Sequence, residues 1–279
     1  MLNLSFLNPK LFIAALAKID AEATQENDQR SIDYRKPAIV MVTVALSLLL
    51  IHYVKFNSSF LSTANWLQMI FNGEDSFYSG LQSNAFGSLY SEVWWAFWHL
   101  VGYVLIPLIV IKYIFAERLR DYGLGLARTP VYAKYYLLLA SVIIFFAFLV
   151  SFRDDFANHY PFYKLASRSI FDLLAWECLY ILQFIALEFF FRGFILHALK
   201  PQFGASAIFI MCVPYLMIHF SKPWLEAFGA IPFGIILGLL ALRSRSIWGG
   251  AAVHITVALS MDLLALTQGD KLPKNWWIP

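Results

Sequence analysis

Long apolar stretches broken by short polar interruptions run the length of the chain, and their lengths predict its elements. An α-helix rises about 1.5 Å per residue, so about 20 apolar residues are needed to cross a hydrocarbon layer roughly 30 Å thick. Runs near that length lie at 37–54, 92–115, 131–152, 170–199, 203–220, 225–242 and 247–267. The pattern predicts an all-α polytopic transmembrane bundle of about seven spans. Residues 20–36 are polar and mixed in charge, and 57–91 reads as a long loop rich in Ser, Asn and Gly. The brief apolar stretch 11–17, between Lys10 and Lys18, reads as an interfacial helix rather than a signal peptide. Three regions follow: an N-terminal segment over 1–36, accessory helices and loops over 37–165, and a stretch over 166–270 where polar residues enter the apolar runs.

Composition strengthens the membrane reading and removes other classes. Of 279 residues, 60% are hydrophobic and 14% charged, against roughly 25% charged in soluble domains. The expected surroundings are a lipid bilayer. A net charge of +3 with no basic tract excludes nucleic acid as an expected partner. Lys and Arg favour the segments that share a side with the N-terminus, which predicts a cytoplasmic N-terminus and an outer C-terminus. Cys178 and Cys212 lie in apolar runs without metal or disulfide spacing and read as small buried hydrophobes. Trp94, Trp95 and Trp98 suit an interfacial belt, Pro107 a kink, and Gly234 with Gly238 a close helix contact.

Candidate chemistry starts in the run ILQFIALEFFFRGFIL, which carries Glu188 and Arg192. A charge at the bilayer centre costs about 2.5 to 3.5 kcal/mol on insertion scales, so its retention points to use. Four residues apart, the two sit about 40° apart around a helix and can pair on one face. His219 ends CVPYLMIH, His254 lies in GGAAVHITVALSMD, and Asp262 follows two turns later. An acid and two histidines on three successive apolar segments predict a polar site inside the membrane.

These residues resemble a known family. Glu188 and Arg192 in LEFFFRG, Tyr215-x-x-x-His219 and His254 look like the three motifs of the CAAX prenyl protease and bacteriocin-processing (CPBP/Abi) family of intramembrane endopeptidases, whose pattern is E-E-x-x-x-R, F-x-x-x-H and H-x-x-x-N. The likeness covers roughly 170–265 and marks 166–270 as the protease-like core of a divergent member; LRDYGL at 119–124 is similar to a loop found upstream in that family. It implies hydrolysis of a peptide bond in a membrane-associated protein or peptide, of the CAAX or leader type, by a water activated by glutamate and histidine. Carried over by position, the catalytic set is Glu188, Arg192, His219 and His254.

Two positions depart from the pattern. Leu187 stands where the first glutamate belongs and Ala258 where the asparagine belongs. Leucine accepts no proton, and alanine offers no hydrogen bond to an oxyanion, a loss worth about 3 to 4 kcal/mol for a single donor. If the chemistry is relocated, Glu188 becomes the base with His219, Arg192 orients it, and His254 offers its N–H to the oxyanion. Glu226 and Asp262 are possible substitutes for the lost acid, Glu226 because a turn at Pro223 can fold it back. No cofactor is expected; the alternative is zinc on Glu188, His219 and His254, a His₂Glu set by residue type, which the Arg192 cation opposes. The rival reading is a pseudoprotease that grips membrane peptides or proteins without cleaving them.

Overall fold

The computed structural model describes residues 9–27, 34–70, 80–81, 83–126 and 128–278. Every regular element among them is helical: α1 (Pro9–Asn27), α2 (Arg35–Val54), α3 (Asn57–Ile70), α4 (Gly87–Ile114), α5 (Thr129–Val150), α6 (Asp154–His159), α7 (Ile170–Phe203), α8 (Ser206–Met217), α9 (Trp224–Ser244) and α10 (Trp248–Gln268). Six of these, α2, α4, α5, α7, α9 and α10, are long and apolar enough to span a membrane. The protein is an integral, multi-pass helical bundle. Large apolar side chains such as Leu137, Phe145 and Phe146 of α5 are exposed, which suits a helix facing lipid.

The seventh expected span differs. The run 203–220 forms only the 12-residue α8, about 18 Å long at helical rise, too short to cross. Gly204, at φ +53°, breaks the chain before it, and the Asp20 carboxylate of α1 accepts the Ala205 N–H at 2.7 Å. Beyond Met217 the backbone turns through 218–223, and Pro223 leads into α9. The expected loop at 57–91 differs as well. Its first part is α3, with Ala64 buried and Thr63 and Ser59 hydroxyls bonded to backbone carbonyls; 71–79 and 82 lie outside the described residues. Polar residues that bond within their own helix or the preceding turn can look like loop in sequence.

The interfacial expectation at 11–17 falls within α1, whose Ile19 and Ala23 are buried. Around Pro107, which lacks an amide hydrogen, α4 widens into π turns at Val101–Leu105 and Val110–Ile114. Trp94 donates its indole N–H to the Val54 carbonyl at the end of α2, 2.7 Å away. Gly234 and Gly238 do let helices approach: added Cβ atoms would come within 2.9 Å of the Tyr215 ring and 3.0 Å of Ile208, so α9 lies tightly along α8. Under the middle of α7, the 119–124 loop packs Tyr122 into the core, and its Gly123 carbonyl accepts the Ile247 N–H at 2.9 Å.

What positions the site is one face of α10. Gly250, His254, Ala258 and Asp262 recur every fourth residue and so share a face, and all four meet α7. Gly250 receives the Glu188 carboxylate, His254 bonds it, Ala258 belongs to an apolar cluster with Trp176 and Tyr180, and Asp262 bonds Trp176. The smallest side chain sits where the carboxylate comes closest.

Candidate active site

Glu188 ends the regular part of α7, and the next seven residues, Phe189–Ile195, form a wider π turn that contains Arg192. The widening exposes backbone carbonyls to new partners: the Arg192 carbonyl accepts the His197 Nδ1–H at 2.6 Å. Both charged side chains are fully buried. Arg192 Nη1 lies 2.9 Å from Glu188 Oε1, and the guanidinium carbon lies 4.2 Å from the centre of the Tyr215 ring, an ion pair backed by a cation–π contact.

His254 Nδ1 is 2.7 Å from the same Glu188 oxygen, and its Nε2 is 3.0 Å from the Tyr215 hydroxyl. The hydrogens follow from charge. Glu188 balances the buried guanidinium as a carboxylate and can only accept, so His254 Nδ1 carries the hydrogen. A second cation here would leave net charge in the core. The neutral ring then has a bare Nε2, which accepts from the Tyr215 O–H. Phe184 stacks on this imidazole at 5.2 Å and Phe233 meets it edge-on at 4.8 Å. The result is a buried chain from Arg192 through Glu188 and His254 to Tyr215. Glu188 Oε2 lies against Gly250 and meets no donor.

His219 lies one turn beyond Tyr215, past the end of α8 and outside the spanning helices. Its Nδ1 is 2.8 Å from the Tyr215 carbonyl. A carbonyl only accepts, so Nδ1 bears the hydrogen and Nε2 keeps its lone pair. Burial, with help from the Lys222 cation, lowers His219 to about 4, opposed by the Tyr215 carbonyl and Glu226. The imidazole is therefore neutral at physiological pH.

Beyond the turn at 218–223, Glu226 stands in the first turn of α9, and its negative charge favours the charged form of His219 against the larger effect of burial. Glu226 Oε2 accepts from the Tyr160 hydroxyl at 2.6 Å, and Oε1 pairs with Lys222 at 3.2 Å. Lys222 in turn donates to Tyr160 at 3.0 Å and lies 4.0 Å over the Phe162 ring. Burial, the largest influence, lowers the Lys222 ammonium from its usual value. Asp262 is held elsewhere, accepting the Trp176 indole N–H at 2.7 Å, with Oδ1 buried and unpartnered.

The structure thus joins Glu188, Arg192 and His254 directly, links His219 to them through Tyr215, and sets Glu226 on the His219 side. Among the described residues, no three His, Cys, Asp or Glu side chains stand close enough together to hold a metal ion. Leu187 is buried in the main apolar cluster, and Ala258 packs with Trp176 and Tyr180 where the pattern has asparagine. Reading by motif missed the Tyr215 hydroxyl, Tyr160, Lys222 and Gly250. Only two left a signal: a tyrosine where the second motif has phenylalanine, and a glycine one helical turn before His254.

Comparison with known proteins agrees with the motifs. Residues 169–260 match the model of the Rce1-like family, described as type II CAAX prenyl endopeptidase Rce1-like. The match takes in Glu188, Arg192, His219, Glu226 and His254 and stops before Asp262. No curated protein matches the chain, and no solved structure does. The match covers about a third of the chain, and the matched family is one of membrane proteases acting in CAAX processing.

Proposed function

We propose that the protein is an intramembrane endopeptidase that cleaves a membrane-associated protein or peptide, with the chemistry relocated to His219. The observation that carries this reading is the Rce1-like match over 169–260, which includes both histidines and every acid proposed to act. In the reaction, a water oxygen attacks the peptide carbonyl carbon while His219 Nε2 takes its proton; the imidazolium then gives that proton to the leaving amine as the C–N bond breaks. The Glu226 carboxylate stabilises the imidazolium, and Lys222 with Tyr160 hold Glu226 in place. Glu188, Arg192 and His254 act as a clasp that sets α7, α8 and α10 around the site. No metal takes part. Glu226 supplies an acid in place of the one Leu187 lacks, as partner of the base and not as the base itself, and the N-terminus faces the cytoplasm.

The test uses the full chain in membranes with a panel of prenylated CAAX peptides and leader-type peptides. Wild type cleaves at least one, exhaustive chelation leaves the rate unchanged, and His219→Ala lowers kcat at least about 100-fold, within the range of general acid–base catalysis, without reducing folded protein. No cleavage of any panel member by wild type overturns the reading. A pseudoprotease is the second reading, favoured by Leu187 and Ala258, and it would bind the same peptides equally well with or without His219 while cleaving none.

A further inference from the structure

Tyr215 touches both imidazoles of the site, and it does so with different atoms. Its backbone carbonyl is 2.8 Å from His219 Nδ1, and its hydroxyl is 3.0 Å from His254 Nε2. The ring between these atoms is fully buried, gripped by the Arg192 guanidinium at 4.2 Å, by Phe191 edge-on at 5.3 Å and by His219 at 4.6 Å. Gly234 of α9 lies against its remaining edge.

We infer that Tyr215 is a positioning residue that assigns the two histidines opposite roles by fixing their hydrogens. The carbonyl accepts the His219 Nδ1–H and leaves Nε2 bare and outward, a base. The hydroxyl donates to His254 Nε2 while Glu188 takes the Nδ1–H, so both ring nitrogens of His254 are engaged and neither has a hydrogen for substrate. His254 is a link and not an oxyanion donor. A phenylalanine, as the second motif has at this position, would keep the first bond and lose the second. The hydroxyl therefore gives His254 Nε2 a partner that phenylalanine could not supply. Holding the ring through His254 also fixes the His219 imidazole packed against it. The kinetic part of this inference rests on His219 being the base; the assignment of hydrogens does not.

Tyr215→Phe keeps the ring and its packing and removes only the oxygen. The full-length protein, labelled with ¹⁵N-histidine in detergent micelles, reports the hydrogen on each ring nitrogen, with His219→Gln and His254→Gln used to assign the signals. In wild type, both histidines show a hydrogen on Nδ1 and a bare Nε2, with the His254 Nε2 signal displaced by its hydrogen bond. In Tyr215→Phe that displacement disappears while Nδ1 of His219 stays as it was. Cleavage of the peptide processed by wild type shows kcat lower on the order of tenfold, a part of what acid–base positioning supplies, with KM unchanged. An identical His254 spectrum in the two proteins overturns the inference, as does a His254 Nε2 that carries hydrogen in wild type, and an unchanged kcat overturns its kinetic part. If wild type cleaves nothing, the hydrolase reading fails and the spectrum alone decides the role of Tyr215.

Discussion

Two of this protein's polar groups, one on each side of Tyr215, are built on opposite terms. The inner one, Arg192, Glu188, His254 and Tyr215, is sealed: Glu188 and Arg192 are wholly buried, and His254 spends both nitrogens on neighbours. The outer one, His219, Lys222, Glu226 and Tyr160, is partly open, with the Lys222 and Glu226 side chains 17% and 25% exposed and a nitrogen of His219 left with its lone pair. Glu188, Arg192 and His254 stand at positions that resemble the CPBP family's motifs, and they are joined in one buried chain. The outer group grows from the turn that replaces a seventh span. A charge sealed against its counterion holds structure together; a group with access and a spare lone pair can move a proton.

That contrast breaks most sharply at Arg192. Arg192→Leu leaves the Glu188 carboxylate buried and uncompensated, and removing one partner of a buried pair costs about 3 to 5 kcal/mol. The expected outcome is loss of folded protein, seen as a large drop in the unfolding temperature in detergent. A variant that folds normally and only loses activity would place Arg192 in the chemistry instead. Glu226→Gln has a smaller and different effect: folding is retained and kcat falls on the order of tenfold, because a charge partner of the base is lost without removing the base. A drop as large as that from His219→Ala would make Glu226 the proton acceptor.

The smallest effect is on pH. His219 is held down at about 4 against its ordinary 6.5, so it stays neutral until pH falls through the lower value. The acid limb of kcat/KM is therefore expected near pH 4, with no inflection near 6.5. In the unfolded chain the same histidine takes up its proton near 6.5, so its contribution to stability is full above that pH and is lost as pH falls toward 4. Lys222→Met removes a cation that lowers His219 and moves the acid limb up. Glu226→Gln removes the anion that raises it and moves the limb down. Limbs that move together in the two variants would separate His219 from this cluster.

Much of the inner group was legible from sequence because it is local. Glu188 and Arg192 are four residues apart on one helix, and a charge pair in such an apolar run has few places to go. His254 was legible by its isolation in hydrocarbon. Its bond to Glu188 was not, since that depends on Gly250 sitting one turn earlier and opening room for the carboxylate. The outer group was mostly hidden. Glu226 was a candidate because Pro223 can turn it back, but Lys222 left no signal, and Tyr160 lies 66 residues before the glutamate it bonds. The shortness of the seventh apolar helix has the same origin: an apolar run measures how much chain can sit in lipid, not where a glycine at φ +53° will end one helix and the Asp20 carboxylate of α1 will accept from the start of the next.

By itself, the order of residues determined that this is a helical membrane protein and that an acid, an arginine and two histidines lie within its apolar segments. Hydropathy and helical spacing are short-range properties, and a single chain displays them openly. Only the tertiary structure decided that His254 meets both Glu188 and the Tyr215 hydroxyl, that the Tyr215 carbonyl meets His219, and that Glu226 is held by Lys222 and Tyr160. Those outcomes depend on contacts between α7, α8, α9 and α10, where a difference of about an ångström separates a hydrogen bond from none, and no local pattern encodes distances between helices that meet only after folding.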